Sequence, residues 1–264
     1  LLQYNHTFDA YPEERVPLCL EFHQHMLLKR TLQINDDYPL LWAMKCRSGK
    51  SYMIAGHIYA RMCELENACE RNKTFLIVTP MPRETLHQLK EMFLRHTEFS
   101  QADVRILTKS NTSTLDAKKT NILLTSKQFL QEKDDMVLKS MPFDTTYFDE
   151  SHEGGSTQLS RRLLNRYATG KQIFLTATYQ KTEVGYGIHN DHKLVWDLMD
   201  EQLCQQNTPK AIDSLVERHG EIVRDLIPLY DMKSYQKYPR MKILSSFVNK
   251  EIVDEIKEST QALA

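Results

Sequence analysis

The sequence predicts an α/β fold in which helices flank a central, mostly parallel sheet and a helical extension follows it. Three observations carry this expectation. Short, uniformly apolar runs alternate with helix-like stretches, as expected of strands buried on both faces. The triplet Gly49-Lys50-Ser51 joins one such run to a helix. The polar clusters follow strands, where open parallel sheets gather their ligands.

In order along the chain, residues 1–20 carry little regular signal, and Pro12 and Pro17 interrupt any helix. Leu20, Met26, Leu27, Leu28 and Leu32 fall near one helical face, which predicts a helix from Leu20 to Leu32. Leu40–Met44 reads as a buried strand, followed by the loop and a helix to about Glu70. Lys73–Thr79 is a second strand, stopped by Pro80, and a helix from Pro82 to about Phe93 follows. Val104–Thr108, Asn121–Ser126, Thr145–Phe148 and Gln172–Leu175 supply four more strands. Lys127–Leu130 and Thr157–Tyr167 read as helical. Residues 189–240 look helical and charged, with a stop at Gly220, and Lys242–Val248 suggests one further strand. The expected division is a nucleotide-binding lobe over residues 1–187 and, over 188–264, a helical extension, a linker or the start of a second lobe.

Composition sets outer limits. Hydrophobic residues at 41% and charged residues at 26% are ordinary for a soluble globular chain. No apolar run approaches the ~20 residues that would span a membrane. A net charge of −1 confines any nucleic-acid surface to a local patch. The five cysteines match neither a zinc ribbon nor a disulfide framework, so a reducing, intracellular location (cytoplasm or nucleus) is expected. Without an initiating Met, the chain is expected to start inside a longer gene product.

The chemistry sits at the strand ends. In the stretch Met44–Ser51, with Arg47 and Ser48 in the loop, Gly49 lets backbone N–H groups close on phosphate oxygens. Lys50 reaches the β- and γ-phosphates, and Ser51 offers a hydroxyl to Mg²⁺ at a helix N-terminus. About a hundred residues on, Asp149-Glu150 ends an apolar strand. Asp149 suits Mg²⁺ or its water shell, and Glu150 suits the water that attacks a γ-phosphate. His152, Thr176 and Thr178 can hydrogen-bond to one another and couple the phosphate site to another surface. Gln24 carries an amide that can both donate to and accept from an adenine edge.

Taken together these segments resemble the N-terminal, RecA-like motor lobe of superfamily 2 helicases and translocases. Met44–Ser51 resembles the phosphate loop, although Met44 stands where the family carries its first glycine. Asp149-Glu150-Ser151-His152 is similar to the acidic motif, and Thr176-Ala177-Thr178 to the Ser-Ala-Thr motif that follows it. Phe22-His23-Gln24 resembles the adenine-reading segment. The resemblance covers roughly residues 20–180, with the motifs in family order. It implies ATP and Mg²⁺ as cofactors and nucleic acid as partner, DNA ahead of RNA. Thr79, Arg83 and Thr125 would then contact backbone phosphates, with Lys109 and Lys127 as weaker basic candidates. No motif of the second lobe is present, so the resemblance also implies a second RecA-like lobe as partner and weak hydrolysis by this piece alone. The alternatives are a motor subunit of a restriction enzyme, a phosphotransferase that ignores nucleic acid, and a non-catalytic scaffold.

Overall fold

A computed structural model describes residues 14–34, 38–66, 73–80, 84–108, 115–116, 118–132, 138, 141–149, 167 and 170–238. The first half alternates helix and strand: α1 (Phe22–Gln33), β1 (Leu40–Met44), α2 (Lys50–Glu66), β2 (Thr74–Thr79), α3 (Glu84–Arg95), β3 (Asp103–Ile106), β4 (Asn121–Ser126) and α4 (Lys127–Glu132). Next come β5 (Thr145–Phe148), β6 (Lys171–Thr176), α5 (Gln180–Tyr186) and β7 (Lys193–Trp196). Then α6 (Leu198–Gln206), α7 (Pro209–His219), α8 (Ile222–Leu226) and a 3₁₀ turn (Met232–Lys237) complete the described chain.

The seven strands form one sheet in the order β3-β4-β2-β5-β6-β1-β7, and all neighbouring pairs run parallel. In β1, alternate side chains enter two separate cores, as the pleat requires. Leu40, Trp42 and Met44 pack with α1, α2 and the helices after β7, while Leu41 and Ala43 pack with Val78, Phe148 and Phe174 on the other face. The parallel sheet with helices around it and a helical region behind is the architecture expected from the sequence.

One stretch differs from expectation. Residues 193–196 form a strand rather than part of a helix, and β7 pairs with β1 from Leu41↔Lys193 to Met44↔Trp196. The apolar run Leu194–Trp196 is only three residues long, too short to stand out beside the charged helical patterns that follow it. The helix starts later, where the Asp197 carboxylate accepts from the N–H groups of Met199 and Asp200. The sheet thus draws its seventh strand from beyond residue 188. The expected strand at 242–248 lies outside the described residues, as does the expected helix 157–167 apart from Tyr167.

Helix α1 is fixed at several points. Gly56 of α2 allows it and the segment leading into it close approach, because a Cβ there would lie 3.3 Å from Leu28 Cδ2 and 2.7 Å from Leu20 Cδ1. At the far end, the buried Lys171 ammonium donates to the carbonyls of Thr31 (3.3 Å) and of the C-cap residue Ile34 (3.0 Å), the former shared with the Ile34 N–H. Trp42 Nε1 donates to Thr31 Oγ1 at 2.9 Å.

Candidate nucleotide site

β1 carries the chain to the carboxyl edge of the sheet and ends at Met44, fully buried and paired with Trp196. Ladder pairing continues one residue further, with Lys45 N donating to Trp196 O at 2.9 Å. The loop is therefore Lys45 to Gly49, closed internally by Ser48 Oγ donating to Lys45 O at 2.8 Å. Arg47 (φ 62°) and Gly49 (φ 72°) both adopt the left-handed region. Successive amides in such a conformation form a concave nest for an anion, and here the nest opens onto the N-terminus of α2. Lys50 and Ser51 are the first two residues of that helix, both half-buried.

Two side chains of α1 hold the loop from behind. His23 Nε2 lies 2.8 Å from Ser48 O, and Gln24 Nε2 donates to Ser48 O (3.1 Å) and Gly49 O (3.3 Å). In a trans peptide the carbonyl and the following N–H point in opposite directions. Drawing the carbonyl of Ser48 toward α1 therefore turns the N–H of Gly49 away from α1, and drawing in the carbonyl of Gly49 does the same for Lys50. Gln24 Oε1 accepts from Glu21 N at 2.9 Å, so the amide expected to read adenine is engaged with backbone at both ends. It is 4% exposed.

His23 is itself held by a residue far along the chain. Tyr235 Oη lies 2.6 Å from His23 Nδ1 and accepts the His23 backbone N–H at 3.1 Å. The imidazole also stacks on Trp196 at 4.7 Å. Burial drives the His23 pKa down to about 4, with Lys45 adding to the fall and the Ser48 carbonyl and Asp200 opposing it. On the loop's other side, Lys45 Nζ pairs with the buried Glu201 at 2.7 Å.

The carboxylate expected to hold metal follows β5. Asp149 N donates to Val78 O at 2.9 Å, which fixes the chain just beyond the strand, and its side chain is half-exposed. Only β6 separates β5 from β1. At two inter-strand spacings, Asp149 and the loop stand on the order of 10 Å apart. That gap suits a phosphate and a cation between Asp149 and Ser51, the two groups that would hold Mg²⁺. A buried bond links the two elements as well, since His57 Nδ1 of α2 meets Tyr147 Oη of β5 at 2.6 Å.

Thr176 ends β6 between them, fully buried, and its Oγ1 accepts from Thr178 N at 3.0 Å. Thr79 ends β2 and Thr125 is the penultimate residue of the adjacent strand β4, each 1% exposed. Burial takes both hydroxyls off the open surface expected of phosphate contacts, and Thr125 Oγ1 is buried without a partner among the described residues. Glu150, His152, Arg83 and Lys109 lie outside the described residues. Lys127 opens α4 and is half-exposed. The sequence reading missed His23, Lys45, Glu201 and Tyr235. His23 had a signal, since it sits beside Gln24, whereas Tyr235 is 212 residues from its partner and had none.

Three kinds of comparison bear on this site. A family model described as the res subunit of type III restriction enzymes matches residues 18–181. No curated protein matches the sequence. Among solved structures, a Sulfolobus solfataricus SWI2/SNF2 ATPase core in complex with dsDNA matches with a TM-score of 0.48 at 14% identity, covering 82% of this chain and 46% of that one. The UvsW helicase of bacteriophage T4 matches in two structures. One gives a TM-score of 0.45 at 18% identity, covering 66% of this chain and 59% of the other. The second gives 0.48 at 15%, covering 94% and 56%. The chain thus spans about half the length of the solved structures it matches.

Proposed function

The chain belongs to the family described as the res subunit of type III restriction enzymes, and from that premise we propose that it is the ATP-binding first lobe of a nucleic-acid motor. The observation that carries this reading is the left-handed nest at Arg47 and Gly49, opening on α2 opposite Asp149. In this reading the loop amides bind the phosphates, and Lys50 neutralises the β- and γ-oxygens. Mg²⁺ held by Ser51 and Asp149 would supply charge stabilisation for the transferring phosphoryl group. Glu150 orients the attacking water and takes its proton, and the γ-phosphorus–oxygen bond breaks to release ADP and phosphate. Gln24 retains one unused Oε1 lone pair for the adenine amino group. Thr176, Thr178 and His152 would relay the phosphate state to the nucleic-acid face.

On that face we assign Arg83 to the phosphates of the bound strand, DNA ahead of RNA. Such contacts read backbone rather than sequence and weaken with salt. An arginine supplied by a second lobe is worth about 10³–10⁵ in rate in related phosphoryl transfer, so this piece alone should bind ATP yet turn it over slowly.

The test is ATP hydrolysis by the longest available gene product, with and without single- and double-stranded DNA and RNA, beside Lys50→Ala. Stimulation by one polymer, abolished by Lys50→Ala, is the expected result and identifies the substrate. Robust turnover that ignores all four polymers overturns the motor reading in favour of a phosphotransferase. Nucleotide binding without turnover under any condition would make the chain a scaffold.

A further inference from the structure

We infer that residues 196–238 form the outer wall of the phosphate loop, and that Tyr235 is a positioning residue that aims the loop amides through His23. The inference rests on the nucleotide-binding reading of that loop and gives the helical region after the sheet a part in it.

Three contacts converge on the loop from this region. Trp196 O accepts from Lys45 N, Glu201 pairs with Lys45 Nζ, and Tyr235 holds His23, which in turn holds the Ser48 carbonyl. The hydrogen-bond roles are fixed by elimination. A carbonyl oxygen only accepts, so the proton on His23 must sit on Nε2, facing Ser48 O at 2.8 Å. Nδ1 is then an acceptor and takes the Tyr235 hydroxyl proton, while the same hydroxyl oxygen accepts the His23 backbone N–H. Each polar atom of the pair is satisfied in this one arrangement. Tyr235 therefore satisfies the acceptor of the tautomer that donates to the loop and, through the His23 N–H as well, anchors the ring against it.

Without the hydroxyl, Nδ1 and the His23 backbone N–H lose their partner in a buried site, and the ring loses the anchor that holds Nε2 against the Ser48 carbonyl. The tether on that peptide would loosen, and with it the outward aim of the Gly49 N–H. Gln24, at 3.1 Å and with its second donor already on Gly49 O, would carry more of the hold.

A double-mutant cycle on the full chain tests this. Gln at position 23 can place an amide donor where Nε2 now lies and has no Nδ1 that needs the hydroxyl, so His23→Gln removes the side chain's dependence on Tyr235. Tyr235→Phe alone should weaken binding of MgADP, read by calorimetry, by about 5- to 30-fold, the equivalent of one to two kcal/mol. In the His23→Gln background the same change should cost less than about twofold. Amide hydrogen exchange on the nucleotide-free protein gives a second readout. Tyr235→Phe should speed exchange at Arg47–Lys50 and leave β2 and β4 unchanged. Equal loss in both backgrounds, or unchanged affinity on Tyr235→Phe in the parent background, overturns the inference. If the parent chain binds no nucleotide, the functional reading fails instead, and the exchange at Arg47–Lys50 still decides whether Tyr235 holds the loop.

Discussion

His23 should make the fold acid-sensitive in a window where most carboxylates are silent. Its pKa falls from an ordinary value of 6.5 to about 4 because burial opposes a charged ring. Between those values the unfolded chain binds a proton at this site and the folded chain does not. Stability therefore rises with pH across the window, being complete above about 6.5 and lost as pH falls through 4. At about 1.4 kcal/mol per pH unit the whole effect is ~3 kcal/mol, a sizeable part of the 5–15 kcal/mol that holds a typical domain together. The groups facing the ring are Lys45, Asp200, Tyr235 and the Ser48 carbonyl. For Asp200, burial alone would raise the pKa, yet the bonds from His219 and Arg218 outweigh it and hold the carboxyl below its usual value. Asp144 behaves alike, with Arg61 and Lys73 outweighing burial. Both carboxylates therefore lose their contribution below about pH 4, outside the histidine window. The assay is urea unfolding without nucleotide at half-unit steps from pH 7.5 to 4.5, comparing the parent chain with His23→Gln. The parent should lose about 2.5 kcal/mol more over that range, and parallel curves would refute the argument.

Two further substitutions probe the same frame. Gly49→Ala puts a Cβ 2.2 Å from Gln24 Nε2 at φ 72°, so Gln24 must leave the loop; nucleotide affinity measured by calorimetry should fall at least about tenfold. Lys171→Met takes the ammonium donor from the Thr31 and Ile34 carbonyls at the end of α1 and should cost ~1–3 kcal/mol in urea unfolding, with the α1 amides exchanging faster than those of β4.

Much of the sheet was legible because its strands are buried on both faces. Phe75–Val78 and Ile122–Leu124 are continuous apolar runs with nothing helical in their period. The phosphate loop was legible for a different reason. Few residue types satisfy a tight turn, a mobile cation and a hydroxyl in succession, so Gly49-Lys50-Ser51 carries its chemistry in its spelling. What stayed hidden depends on distance in the chain or on which way a side chain faces. β7 is too short to announce itself, and its place beside β1 comes only from pairing. Thr79 and Thr125 lie at the ends of the right strands, but a strand's end does not say whether a hydroxyl points to solvent or into the core. Gln24 was read for its ability to donate and accept, and it does both, though with backbone as partner.

The departure at Met44 follows from the same geometry. The phosphate-loop pattern calls for glycine there, yet in this chain the position still belongs to β1, paired with Trp196 and sealed in the core. A side chain that fills the core serves that position better than backbone freedom. The turn is consequently made later and faster, within Lys45–Gly49, and it forces Arg47 into the left-handed region. For a residue with a Cβ that conformation costs about 1–2 kcal/mol, and it persists only where the surroundings over-determine it. The surroundings here are identifiable: Ser48 Oγ on the Lys45 carbonyl, His23 and Gln24 on the carbonyls that follow, and Glu201 on the Lys45 ammonium. A loop with two glycines can hold its shape by its own backbone. This loop, with one, takes its shape from α1 and from the region after β7, so the elements that surround the nucleotide site also decide whether the site exists.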